Sequence, residues 1–248
     1  MTAERPLVLG HRGYRARYPE NTLLAFREAL RAGAHGIECD LQKTKDGRFV
    51  VIHDPRTGRT ADSDRGVAES SLEELRGLDF GRGERIPTLQ ELLSVLPADA
   101  WLDLELKEET LTPADCAEIS AILDSTISRE KLMVSSFDAR LLFPMKARGF
   151  LVGYLVGEEV AGRWFAFAAT LLRLRPRYVN LPIDMTRVLG VRRARRAVQA
   201  LRVLGFRLLF WTVNTPAEAG FAAPAGDFLV TDEVDLIVQA SGKRALQK

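Results

Sequence analysis

In "GIECDLQ" (36–42), Glu38, Asp40 and Gln42 alternate with apolar residues, as do Asp103, Glu105 and Lys107 in "WLDLELK" (101–107). Residues two apart on a strand share a face. One face of each run therefore carries the polar groups, and the other carries Ile37, Cys39 and Leu41, or Leu102, Leu104 and Leu106. Acidic groups on a covered face are costly unless paired or bound to something. Glu38, Asp40 and Glu105 meeting at one point would repel one another, and a divalent cation removes that repulsion. An all-oxygen donor set favours a hard ion: Mg²⁺, Ca²⁺ or Mn²⁺. Zinc is disfavoured, because the three histidines are not at zinc-ligand spacing. Half-exposed strands with a solvated face are the plain alternative, and the repetition of the pattern in two strands argues against it.

His11 ends the apolar run "LVLGH", and His53 ends "RFVVIH". Two strand-end imidazoles beside a carboxylate cluster suit an acid/base pair. Arg12 and Lys107 add fixed positive charge in the same region. Together these groups fit an anionic substrate, with phosphate the natural candidate.

Something must bring these residues to one place. Apolar runs of strand length begin near residues 7, 36, 100, 131, 151, 177, 206 and 227, with helical stretches between them. Leu23, Leu24, Phe26, Ala29 and Leu30 form one helical stripe, closed by Gly33. The Asp46-Gly47 dipeptide predicts a hairpin that carries "RFVVIHD" as an extension of the second strand. Residues 55–85, rich in Arg, Gly, Asp and Ser, read as an insertion or active-site loop holding the short helix "SLEELRGL". Eight βα units in 248 residues predict one α/β domain over 1–248, a (β/α)8 TIM barrel. A doubly wound sheet is the rival, and it lacks its Gly-rich phosphate loop after the first strand.

The net charge of +2 gives no support to nucleic-acid binding. Cys39 and Cys116 make no disulfide framework, so a reducing, cytoplasmic setting is expected. The N-terminus "MTAERPLVLGHRG" has no signal-peptide core, and "WFAFAATLL" (164–172) is too short to span a bilayer. That run is read as a barrel helix packed on the core rather than a lip for lipid. The basic stretch 187–202 is read as the solvated face of an outer helix, with Leu189, Val198, Leu201 and Leu204 packed inward, rather than as a dock for membrane or nucleic acid. His35 is read as structural.

The order "GHRG…PENT…AF…A…GA…IECDLQKTKDG…VVIHD" closely resembles the glycerophosphodiester phosphodiesterases. "IPTLQELL" (86–93), "LDLELK" (102–107), "SSF" (135–137), "WTVN" (211–214) and "VTDE" (230–233) extend the resemblance over about residues 7–235. It implies a TIM barrel with a small insertion after the second strand, here at about 54–85. It implies acid/base roles for His11 and His53, a phosphate contact for Arg12, charge stabilisation by Lys107, and a divalent metal, Mg²⁺ or Ca²⁺, on Glu38, Asp40 and Glu105. Glu20 and Asn21 would brace the histidine loop, and Trp211 would line the pocket against the glycerol. The implied substrate is a small glycerophosphodiester, hydrolysed to glycerol 3-phosphate and an alcohol without nucleic acid or stable membrane insertion. Rival readings are a lysophospholipase D or sphingomyelinase D-like phosphodiesterase on the same scaffold, and a non-catalytic metal- or phosphate-binding barrel. Two stretches depart from the family pattern: "HDPRTGRTADSDRG" is unusually charged, and "AGDFLV" only approximates the usual last strand.

Overall fold

The computed structural model describes residues 5–157 and 164–242. Its strands are β1 (Leu7–His11), β2 (Gly36–Lys43), β3 (Phe49–Val51), β4 (Trp101–Leu106), β5 (Leu132–Ser136), β6 (Leu151–Leu155), β7 (Tyr178–Pro182), β8 (Arg207–Trp211) and β9 (Phe228–Thr231). All but β3 run parallel, and β1 pairs with both β9 and β2, which closes an eight-stranded barrel. β3 pairs antiparallel with β2 through the Asp46-Gly47 turn. This is the TIM barrel, with the hairpin where the sequence places it.

The helices are α1 (Leu23–Arg31), α2 (Leu72–Arg76), α3 (Leu89–Val95), α4 (Cys116–Asp124), α5 (Ala139–Ala147), α6 (Trp164–Leu174), α7 (Met185–Leu189), α8 (Val191–Val203), α9 (Pro216–Ala222) and α10 (Val234–Gly242). Several starts are set by local chemistry. Thr22 accepts a hydrogen bond from the Ala25 amide, and Ser71, Thr88 and Thr215 each form a capping box with Glu74, Glu91 and Glu218. α1 buries Ala25, Phe26 and Ala29 against the sheet and ends before Gly33, whose φ of +92° suits glycine.

Strand alternation divides the core into two layers. Ile37, Cys39, Leu41, Leu102, Leu104 and Leu106 face the helices on one side of the barrel, and Leu208, Phe210 and Leu229 do so on the other. The opposite faces of β1, β5, β7, β8 and β9 fill the barrel centre with Leu9, Met133, Tyr178, Leu209, Phe228 and Val230. Residues after β3 form a satellite core, in which Ile52, Val67, Leu75, Leu78, Phe80 and Ile86 pack with Val50.

The basic stretch differs from its sequence reading. Gly190, at φ +75°, separates α7 from α8. α8 buries Ala194, Val198 and Leu201, whereas Leu204 is 71 % exposed and Leu189 is only half-buried. Leu204 lies one residue past α8, so the helical stripe no longer governs where it points. Among the described residues, no helix is long and apolar enough to cross a membrane. The reading that no leader precedes β1 bears in part on residues 1–4, outside the described residues.

Candidate active site

Register assembles the site. Glu38 of β2 lies beside His11 of β1 on one side and Asp103 of β4 on the other, and Asp40 lies beside Glu105. Parallel strands at this register stack four carboxylates on one inner wall. Glu38, Asp40, Asp103 and Glu105 are each at most 7 % exposed.

The chain leaves β1 through a tight turn. Arg12 has φ +53°, and Gly13, at φ +82°, sits so close to α1 that a Cβ would lie 2.6 Å from the Ala25 carbonyl carbon. Arg12 in the left-handed region is backbone strain at the site itself. The turn aims the Arg12 amide at Glu38 Oε2, 3.0 Å away. Asn21, also left-handed at φ +56°, donates its own amide to the Arg12 carbonyl and its side-chain Nδ2 to Asp40 Oδ2.

Two cations offset the carboxylates. Lys107 Nζ lies 2.8 Å from Glu105 and 3.4 Å from Asp40, and Arg12 Nε lies 3.3 Å from Asp40. Glu20 accepts from Arg12, Arg15 and Arg59, and so ties the insertion back to the β1 turn. Glu20 and Asn21 both contact Arg12, in the turn directly after His11, and Asn21 also reaches Asp40.

The histidines have carboxylate partners of their own. His11 Nδ1 donates to Asp232 Oδ1 at 2.7 Å, and His53 Nδ1 donates to Asp54 Oδ1 at 2.6 Å. Each ring thus has its Nδ1 occupied, and on His11 the other nitrogen, Nε2, sits 3.9 Å from Glu38. Asp232 is itself held by Asn214, which donates from Nδ2 and accepts the Asp232 amide. Burial lowers the pKa of both histidines, against the pull of Asp232 on His11 and of Asp40 on His53.

The carboxylates diverge electrostatically. Burial, with the charges of Asp40 and its acidic neighbours, pushes Glu38 and Glu105 upward. Burial also pushes Asp103 up to about 7, although Ser135 donates to it. Asp40 falls, because Arg12, Lys107, His53 and the Asn21 hydrogen bond outweigh its burial. Groups whose environments split them in this way mark a functional site.

His11, Arg12, Arg15, Glu38, His53, Asp103, Glu105 and Trp211 border a cavity of about 390 Å³ at the C-terminal ends of the strands. One ligand oxygen from each of Glu38, Asp40 and Glu105 lies within 4.8 Å of the others. Among the described residues, buried Asp40 Oδ1 has no hydrogen-bond partner, although Lys107 Nζ lies 3.4 Å away. An orphaned oxygen within three converging carboxylates fits a hard divalent cation.

All ten residues singled out in the sequence fall in or against this region. Sequence reasoning missed Asp232, Asn214, Asp54, Arg59 and Asp103 as working parts. "WTVN" and "VTDE" were visible as motifs, but that Asn214 and Asp232 join behind His11 is a contact between the segments that follow β8 and β9. Nothing in the sequence marks Arg59 as a partner of Glu20, 39 residues earlier.

Residues 11–236 match the model of the glycerophosphoryl diester phosphodiesterase family. A glycerophosphodiester phosphodiesterase of Caldanaerobacter subterraneus subsp. tengcongensis is 32 % identical over 94 % of this chain and 97 % of its own length. A crystal structure of a glycerophosphodiester phosphodiesterase from Thermotoga maritima superposes with a TM-score of 0.80 at 32 % identity, covering 95 % of this chain and 98 % of that one. A phosphodiesterase of Oleispira antarctica, solved in complex with the product sn-glycerol-3-phosphate, superposes with a TM-score of 0.84 at 27 % identity over 96 % and 98 % of the two chains.

Proposed function

The chain belongs to the glycerophosphoryl diester phosphodiesterase family, and from that premise we propose that it hydrolyses small glycerophosphodiesters to glycerol 3-phosphate and an alcohol. The observation that carries this reading is the pairing of two carboxylate-held imidazoles with a three-carboxylate cluster around one cavity. Glu38, Asp40 and Glu105 would hold Mg²⁺ or Ca²⁺, which when bound supplies charge neutralisation and polarisation at phosphorus.

The chain's own groups do the rest. Arg12 and Lys107 hold positive charge on the wall where the phosphate sits. In-line displacement needs a base on one side of phosphorus and an acid on the other. One histidine Nε2 takes the proton of the attacking water or hydroxyl oxygen, and the other gives a proton to the departing alkoxide. Asp232 and Asp54 keep each Nδ1 occupied, so proton traffic runs through Nε2. Trp211, whose Nε1 donates to the Asn180 carbonyl, offers an aromatic wall to the glycerol carbons.

The test is release of glycerol 3-phosphate from glycerophosphocholine, glycerophosphoethanolamine and glycerophosphoglycerol, with lysophosphatidylcholine as the contrast. Each substrate is assayed with chelator, with Mg²⁺ and with Ca²⁺. Turnover of the diesters that chelator removes and metal restores is expected. No turnover of any diester with either metal would overturn the reading.

A further inference from the structure

The charges of this chain are not evenly spread. Residues 164–210 carry ten arginines and one aspartate, a net +9, so the rest of the chain is net −7. Part of this basic region meets exposed apolar side chains at the end of the barrel opposite the candidate active site. There a groove of about 800 Å³ runs between the C-terminal ends of α6 and α8 and the starts of β6 and β7. Its lining includes Phe150, Leu172, Leu204 and Phe206, with Lys146, Arg175 and Arg177, and no acidic residue. Leu172, Val203 and Leu204 are 73 %, 76 % and 71 % exposed. Arg173 lies over the ring of half-exposed Phe143 nearby. Among the described residues, Arg175 and Arg177 form no ion pair. Asp227 is engaged by Arg202 and Arg207.

We propose that this groove and its arginines dock the enzyme on an anionic phospholipid bilayer. The exposed aliphatic side chains enter the boundary between headgroups and acyl chains, and the arginines meet the lipid phosphates. Charge complementarity selects this occupant. A second copy docked face to face would set like charges against each other. A nucleic acid would pair with the arginines but leave the leucines exposed to water. Docking by this end leaves the active-site mouth facing solvent, where a water-soluble diester arrives. The inference goes beyond the proposed activity, and its readout is binding rather than turnover.

The test is co-sedimentation of the full chain with vesicles of phosphatidylcholine, alone or mixed with phosphatidylglycerol. Binding to the anionic vesicles only, weakened by salt, is expected. Arg175→Gln with Arg177→Gln should weaken it by about 30-fold. Leu172→Ser with Leu204→Ser should weaken it by at least about tenfold. Both variants should melt with the wild type, and vesicle-bound enzyme should keep its turnover of soluble diester. The proposal is overturned by absence of binding to anionic vesicles, by equal binding to neutral ones, or by variants that bind like the wild type. It is equally overturned if RNA displaces the vesicles at matched phosphate, or if the leucine variant instead dissolves a dimer.

Discussion

Two walls of one barrel interior carry opposite chemistry. On β2 and β4, buried inward positions hold Glu38, Asp40, Asp103 and Glu105; on β8 and β9 they hold Leu209, Phe228 and Val230. The apolar wall gains free energy simply by leaving water. The acidic wall loses hydration and sets like charges together, and it persists because Arg12, Lys107, Asn21 and Ser135 partly satisfy it. The lesson is a division of labour: the β8–β9 wall stabilises the fold that holds the β2–β4 wall in a costly arrangement.

The sharpest test of that division lies at the imidazoles. His11→Ala or His53→Ala should lower kcat by roughly 10²–10⁴-fold, while thermal unfolding and circular dichroism stay near wild type. Turnover close to wild type in either variant would remove that histidine from the chemistry.

Phe228→Ala attacks the other wall. Phe228 is 2 % exposed and meets Trp101 and Tyr178 edge-on at ring separations of 4.8 and 5.4 Å. Its truncation should cost about 3–5 kcal/mol in urea unfolding. A loss below about 1 kcal/mol would mean that this wall does not carry the stability assigned to it.

The acidic wall should respond to metal in the opposite sense to its mutation. Saturating Mg²⁺ or Ca²⁺, at about a hundred times Kd, should stabilise the wild type by about 2.7 kcal/mol. Glu38→Gln should unfold no earlier than wild type in chelator, because it relieves repulsion, and should gain less from metal. A variant that is markedly weaker in chelator would show Glu38 to be a net stabiliser.

The smallest effect concerns Glu20, which joins the insertion to the β1 turn. Burial opposes its charge, but hydrogen bonds from Arg59 and Arg12 hold its pKa well below the usual carboxylate range. A lowered folded-state pKa contributes stability above the unfolded value, near 4.3, and loses it as pH falls toward the folded one. Glu20→Gln should therefore cost about 2 kcal/mol at neutral pH, with the gap to wild type narrowing in acid. A gap that widens in acid would reverse the assignment.

Much of this was legible in the chain. The alternation of "GIECDLQ" and "WLDLELK" revealed which residues face inward, because a strand's period of two is local geometry. The eight apolar runs marked the barrel strands, and the Asp46-Gly47 turn marked the hairpin. The basic stretch was legible only in part. Helical period correctly placed Val198 and Leu201 inside, but it gave no warning that Gly190 breaks the helix or that Leu204 lies beyond its end.

The sequence by itself determined the residue types, the periods that sort them onto faces, and the ordered motifs shared with a family. Only the tertiary structure decided which carboxylate holds which imidazole, that Arg59 closes on Glu20, and that Leu172 of α6, Arg175 and Arg177 beyond it, and Leu204 just past α8 share one groove. The reason is physical: periodicity is set by bonds a few residues long, whereas those pairings depend on strand register and barrel closure across the whole chain.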